Sequence, residues 1–248
     1  SLKIPVVPGS EGALVDPVHA ASVAEEIGFP VLIKATHGGG GKGIHIVGVP
    51  EEFQTTFSRM SQEALSAFGS GDLYLEKFIG SMRHLEVQVI RDLHGNSKLL
   101  HVRDCSVQRS YQKLIEESAF ALPQEIRDEL FDHSRRLIDE MDYVGAGTVE
   151  FIYDLKDRRV YFMEMNTRLQ VEHPVSEMVT GVDLVKQQFG IAQGESINNL
   201  KVRNDGHAIE VRVNAERVGI TDSGELRFVP APGEVTEFYF PEEPHVRV

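Results

Sequence analysis

The chain has 248 residues, 41% of them apolar, and sets 25 Lys and Arg against 38 Asp and Glu, a formal charge of −13. So acidic a chain is a poor candidate for general nucleic-acid or anionic-membrane binding, although it leaves room for a local basic pocket that takes a small anion. A single cysteine, Cys105, excludes an internal disulfide and a Cys-rich metal site and fits a reducing compartment; no apolar run reaches membrane-spanning length, and the first residues do not read as a signal peptide.

The length allows one large domain or two small ones. Asp16-Pro17 reads as an N-cap and first helical residue and Gly28 as a stop, which predicts a helix over 17–27 with Val18, Ala21, Ala24 and Ile27 on its apolar stripe. PVLIKAT (30–36) is a buried-type strand, HGGGGKG (37–43) a loop and IHIVGV (44–49) a second strand. Residues 51–68 are helical by spacing, with Phe53, Phe57, Met60, Ala64 and Phe68 on one face. LYLEKFI (73–79) is a strand, and HLEVQVIRD (84–92) and SKLLHVRDCSVQ (97–108) form a hairpin around LHGN. A long amphipathic helix runs from Pro123 to Asp142. TVEFIYD (148–154) and VYFMEMN (160–166) make another hairpin, VDLVKQQFGIAQG (182–194) a helix closed by Gly194, and GHAIEVRVNAE (206–216) an alternating strand. Hairpins with interspersed helices predict an α+β class with mainly antiparallel sheet. A boundary near Gly80 divides a small α/β unit, 1–79, from a larger one, 80–248.

Four successive glycines in HGGGGKG cost backbone entropy and need a reason. A flexible turn is one; close approach of glycine amides to phosphate oxygens is another. It is not a Walker loop, because Gly43 follows Lys42 and the loop joins strand to strand. Lys34 stands on an otherwise apolar strand, either as a snorkelling edge residue or as a partner for a nucleotide phosphate. In the second hairpin, Glu150 and Glu164 lie equally far from Asp157 and would face each other across the ladder. Opposed like charges destabilise a sheet, unless solvent screens them or a hard cation such as Mg²⁺ takes both with Asn166 nearby. Arg103, Arg109 and Lys113 add a basic group, either a solvated loop or a partner for polyphosphate.

In FMEMNTRLQVEHP (162–174), Glu164, Asn166, Arg168, Gln170 and Glu172 occupy every second position, and Pro174 reads as a stop. An extended chain would send them to one face, with a bend expected after Asn166. A half-buried strand with a wet outer face would give the same alternation.

Taken together these stretches resemble the ATP-grasp superfamily and, within it, the biotin carboxylase family, over essentially the whole chain. KATHGGGGKG resembles the family's glycine lid loop, YLEKFI its interdomain hinge, RHLEVQV and RDCSVQR the next segment, and GHAIEVRVNAE its late strand. EMNTRLQVEHPVSEMVTG is similar to the family's most distinctive signature. The resemblance implies an ATP-grasp fold with a small α/β lid and a larger, mainly antiparallel domain. It also implies a domain ahead of residue 1 and sequence beyond 248, so the chain is expected to be a fragment.

By the same resemblance, Lys34 contacts ATP phosphates and Gly40 and Gly41 close over them. Glu76, Lys77 and Ile79 line the adenine pocket through backbone and apolar contacts, and His84 and Gln108 sit near the ribose. Tyr111 stands near the ribose where the family commonly has His, a change that bears on nucleotide affinity. Glu150 and Glu164 hold Mg²⁺ (or Mn²⁺), with Asn166 nearby. Arg168, Gln170, Val171 and Glu172 surround bicarbonate, with Glu172 as its base; Lys113 bridges phosphate and bicarbonate, and Arg212 stabilises the biotin enolate.

The implied reaction is ATP-dependent carboxylation of biotin through carboxyphosphate. The implied partners are a biotin carboxyl carrier protein or domain and a carboxyltransferase, in a homo-oligomeric parent working in the cytoplasm or a mitochondrial matrix. Competing readings are another ATP-grasp ligase, such as a carbamoyl-phosphate synthetase half, and a non-catalytic nucleotide-binding module.

Overall fold

The computed structural model describes residues 2–38, 43–109, 112–221, 224, 226–239 and 243–248. They divide into two units, Ser1–Val211 and Arg212–Val248.

The first unit begins with helix α1 (Pro17–Ile27), capped by Asp16, whose carboxylate accepts the N–H groups of Val18 and His19 at 3.1 Å each. Of the predicted stripe, Ala24 is buried and Ala21 and Ile27 pack half-buried against the same cluster; Val18 is exposed and Ala20 is buried in its stead. Strands β1 (Val31–Ala35), β2 (Ile44–Val47) and β3 (Leu73–Lys77) form an antiparallel sheet in the order β2-β1-β3. A 3₁₀ turn (Pro50–Glu52) leads into α2 (Phe53–Phe68), whose Phe53, Phe57, Met60 and Ala64 are buried as the spacing requires. These elements share one apolar cluster with Val31, Ile33, Leu73 and Leu75. β1 alternates rather than being buried throughout, so Lys34 emerges on the half-covered face.

The larger sheet is antiparallel in the order β8-β7-β4-β5-β6-β9. Its strands are β4 (Met82–Arg91), β5 (Ser97–Arg109), β6 (Gln112–Ser118), β7 (Gly145–Asp154), β8 (Arg159–Asn166) and β9 (Ile209–Val211). One face packs Leu85, Val87, Val89, Val149 and Phe151 against Ile126, Leu130 and Ile138 of α3 (Gln124–Glu140). The other carries polar side chains at one end. At the other end Ile90, Leu100 and Ala146 meet Leu184 and Ile191 of α5 (Leu184–Ala192).

Three expectations change. QKLIEES is a strand, β6. Pro174 stops nothing: it sits in the first turn of α4 (His173–Thr180), where its missing N–H has no intrahelical partner to lose. The alternating stretch 206–216 yields only the three residues of β9, and its apolar positions Ile209 and Val211 are exposed. Glu216 instead starts β10 (Glu216–Ile220), which pairs with β11 (Leu226–Pro230) as the hairpin of the second unit.

His101 shows how the sheet constrains a titratable group. It is buried, adopts φ 66°, lies tilted against Phe120 with ring centroids 4.5 Å apart and meets Asn204 at 2.9 Å. Burial depresses its pKa to about 4, against a smaller opposing effect of the Asn204 hydrogen bond. The unfolded chain therefore binds a proton near 6.5 that the folded chain refuses until about 4. Stability from His101 is fully present above that range and declines as pH falls through it. Asn tolerates positive φ, so the stability lead of the wild type over His101→Asn should narrow between pH 6.5 and 4 in urea titrations. A lead independent of pH would mean that the folded state accepts the proton.

Candidate active site

The site is a row across the sheet. Register places Glu164 (β8) opposite Glu150 (β7), Glu150 opposite Glu86 (β4), and Glu86 opposite Arg103 (β5). The pairing of Glu150 with Glu164 expected from the turn is present, by two offsetting steps. The hairpin is symmetric about the bond between Lys156 and Asp157, with Asp154 opposite Arg159, and a bulge between Glu150 and Phe151 shifts the ladder by one. The bulge returns both glutamates to one level.

Three of these carboxylates lie almost out of water: Glu86 is 0% exposed, Glu150 3% and, from the loop after β8, Glu172 2%. Their counter-charges converge. Lys113 on β6 donates to Glu86, to Glu150 at 3.1 Å and to Glu172 at 2.8 Å. Arg103 donates to Glu86 at 3.0 Å, and His84 meets Glu150 at 2.8 Å. Burial would lower the pKa of Lys113, but Glu86, Glu150 and Glu172 outweigh it and hold the ammonium well above the usual lysine range. For Glu86, burial is overcome by the His84 hydrogen bond and by the Arg103 and Lys113 charges, so its carboxyl stays well below the ordinary range. Glu150 is lowered too: burial opposes, the His84 bond and Lys113 prevail. His84, despite burial, is raised to about 9 by Glu150 and Glu86.

Next to this cluster Asn166 donates from one nitrogen to Glu150 (2.7 Å) and Glu164 (3.0 Å), and Gln170 donates to Glu150 at 2.7 Å. Arg168 is exposed and turns back to Asn166 Oδ1 (3.4 Å) and Leu169 O (3.3 Å). Because β8 ends at Asn166, the residues from Arg168 to Glu172 do not share a strand face; Gln170 and Glu172 turn inward and Val171 is 60% exposed. Gln108 reaches His84 at 3.1 Å.

On the small sheet Lys34 pairs with Glu76 and lies 5.7 Å above the Tyr74 ring. Lys77 donates to Gly28 O (2.5 Å) and Phe29 O (3.0 Å), which leaves its backbone and stem for any ligand, and Ile79 is half-buried. Gly40, Gly41 and Tyr111 lie outside the described residues. Arg212 is the first residue of the second unit. Sequence reasoning passed over Glu86 as a site residue and treated Arg103 only as part of a basic group. The signal was present in HLEVQV, where His84, Glu86 and Gln88 alternate on one face of a strand whose other face is apolar.

The donor chemistry fits a hard divalent cation at Glu150 and Glu164. Two opposed carboxylates offer oxygen ligands, with Glu164 open to solvent and the Asn166 amide beside both. His84, Glu86 and Glu150 also lie close enough to share an ion. There the lysine and arginine already supply the positive charge, which makes that inner group the poorer fit.

This fold and this row of buried charges define an ATP-grasp domain. The chain belongs to the family described as carbamoyl-phosphate synthase L chain, ATP binding domain, whose model matches residues 1–200. It is 48% identical over 248 residues to biotin carboxylase 1 of Bacillus subtilis, covering 99% of this chain and 54% of that protein. It is similar to the crystal structure of a biotin carboxylase–β,γ-ATP complex from Campylobacter jejuni, with a TM-score of 0.86 and 43% identity over 98% of this chain and 53% of that one. A third likeness is to the biotin carboxylase domain dimer of Hydrogenobacter thermophilus 2-oxoglutarate carboxylase, solved with MgADP, ADP and bicarbonate. Here the TM-score is 0.80 and the identity 42%, over 96% of this chain and 57% of that one. The chain thus spans about half the length of the curated relatives it matches. No helix among the described residues is long and apolar enough to cross a membrane.

The electrostatic account predicts the behaviour of Lys113→Met. Removing the one ammonium leaves three buried carboxylates under-compensated, and loss of a buried partner costs about 3–5 kcal/mol. In the wild type the depressed carboxyls contribute stability above their unfolded pKa and lose it as pH falls. In the variant those pKa values rise, so acidification relieves repulsion. The variant's deficit in urea unfolding should therefore be large at neutral pH and shrink toward pH 5. Equal deficits at both would contradict the charge argument.

Proposed function

We propose that this chain carries out ATP-dependent carboxylation of biotin, borne on a carrier protein or domain, with bicarbonate as the carbon source. The observation that carries the reading is the position of Lys113, whose single ammonium touches both Glu150, at the cation-binding end, and Glu172, at the other. A group so placed can hold a terminal phosphate and an attacking bicarbonate in one field.

In this reading Glu172 takes the proton of bicarbonate, and the freed oxygen attacks the γ-phosphorus. ADP leaves, carboxyphosphate forms, and it breaks down to carbon dioxide and phosphate beside biotin. Arg168, Gln170 and the Val171 backbone cradle bicarbonate, Lys34 with Gly40 and Gly41 meets the phosphates, and Glu76, Lys77 and Ile79 meet the adenine. His84, Gln108 and Tyr111 lie toward the ribose, and Arg212 faces the biotin enolate. Glu150 and Glu164, with Asn166, would hold Mg²⁺ (or Mn²⁺), which when bound neutralises charge on the phosphate oxygens. Residues 1–79 act as a lid on the remainder, and exclusion of water by that lid raises the strength of every charge inside. The carboxyltransferase partner, the homo-oligomeric parent and a location in the cytoplasm or an organelle matrix follow from the same reading. The names of the relatives support it, and the opposed carboxylates favour it over a non-catalytic nucleotide module.

The first test is ADP release by the full-length parent of this chain with MgATP and free biotin, because the 248 residues alone are expected to be weakly active or inactive. Release should depend on bicarbonate and rise with biotin. Glu172→Gln should lower turnover about 10²-fold or more, the usual scale for losing a general base, with ATP affinity little changed. An equal loss of ATP binding would assign Glu172 to the nucleotide or to folding.

A second measurement addresses the cation. Glu150→Gln and Glu164→Gln should each raise the Mg²⁺ concentration needed for half-maximal rate. As ligands of one ion they should combine non-additively in the double variant. Strict additivity without any shift in Mg²⁺ dependence would return both glutamates to a solvated surface.

A further inference from the structure

Arg103 is among the largest fully buried side chains of the described residues, with 0% of its surface exposed. It stands beneath the carboxylate cluster rather than in it, and every proton of its guanidinium is placed. Nε and Nη2 both meet Glu86 Oε2, at 3.3 and 3.0 Å. Nη1 reaches Gln88 Oε1 at 2.9 Å and Ser176 Oγ at 2.8 Å. Nη2 also meets Thr148 Oγ1 and Gln170 Oε1, each at 3.3 Å. One side chain on β5 therefore ties together β4, β7, the loop after β8 and α4.

A guanidinium only donates. An amide that faces it must present oxygen, and its NH₂ must then point away. Gln88 obeys this: its Oε1 faces Arg103 and its Nε2 donates to Gly147 O at 2.8 Å. Gln170 obeys it too, with Oε1 toward Arg103 and Nε2 toward Glu150 at 2.7 Å. Glu86 is divided in the same way, one oxygen engaged by Arg103 and the other left to Lys113 and His84.

We infer that Arg103 is a positioning residue for the reaction: it fixes which end of the Gln170 amide faces the site and which oxygen of Glu86 holds Lys113, without itself touching substrate. The inference rests on the bicarbonate-dependent reading given above and deepens it. Fork geometry is what matters, because a lysine keeps the charge but cannot hold two amide oxygens, two hydroxyls and a carboxylate at once.

The test uses Arg103→Lys in the full chain, with near-ultraviolet circular dichroism to establish that it folds. Gln170 and Lys113 face bicarbonate, so the KM for bicarbonate should rise about tenfold or more, the scale of one misplaced charge-assisted hydrogen bond. Binding of MgADP by calorimetry should stay within about threefold of wild type, since that ligand is held by other residues. Should Arg103→Lys fail to fold, Ser176→Ala carries the same test in milder form. It removes one anchor of the guanidinium on α4 and leaves the charge, so it should raise the bicarbonate KM alone. A lower kcat with an unchanged bicarbonate KM would reduce Arg103 to a folding residue and overturn the inference. Lack of bicarbonate-dependent ADP release in the wild type would instead remove the functional reading beneath it. The two failures are told apart by the protein in which they occur.

Discussion

Burial of three carboxylates around one ammonium is the constraint to which the rest of the structure answers. Burial alone would push Glu86 and Glu150 toward taking up a proton. They stay ionised because Lys113 touches both, as it does Glu172, Arg103 engages the other oxygen of Glu86, and His84 adds a further proton between Glu86 and Glu150. Such a cluster contributes little net stability, since desolvation consumes most of the attraction. Its value is that charge stands ready in fixed directions before any ligand arrives.

The sheet tolerates that arrangement because its two faces are unequal. Opposite the charged row, Leu85, Val87, Val149 and Phe151 pack on α3, whose buried His133 lies against Phe151. On the charged side the apolar packing withdraws to the far end, where Ile90 and Leu100 meet α5. α4 lies between, and Ser176 from it reaches down to Arg103. Strand alternation keeps the two faces from mixing: one residue of slip in β4 would exchange Glu86 for Val87 and put a carboxylate into the α3 core.

The degree to which this was legible in the sequence varies by mechanism. Helices α2 and α3 and both long hairpins follow from apolar spacing and turn residues. β6 was not legible, because only Ser110 and Tyr111 separate it in sequence from β5, without glycine, proline or asparagine to mark a turn. α4 was hidden by Pro174, which is as much at home in a first helical turn as after a last one. Alternation over 206–216 overstated β9, since its apolar residues cover nothing in this unit. At the site, opposed Glu150 and Glu164 could be counted out along the hairpin. The join of Glu86 to Arg103 could not, because it depends on a pairing that passes through a register shift. Arg103 itself looked like one more basic residue of a surface loop; only the fold places it at full burial.

Asn166 shows how far the proposed cation site is prepared by the chain alone. The directly opposed Glu150 and Glu164 would repel each other across the ladder. One amide nitrogen, donating to both at 2.7 and 3.0 Å, offsets part of that repulsion with partial positive charge. Lys113 and Gln170 converge on the same oxygen of Glu150. A divalent cation held as proposed would compete with three donors already aligned on that oxygen, whereas Glu164, exposed and less encumbered, would be the easier first ligand. The difference follows from burial: a carboxylate still in water exchanges partners readily, and one held by three donors must give something up.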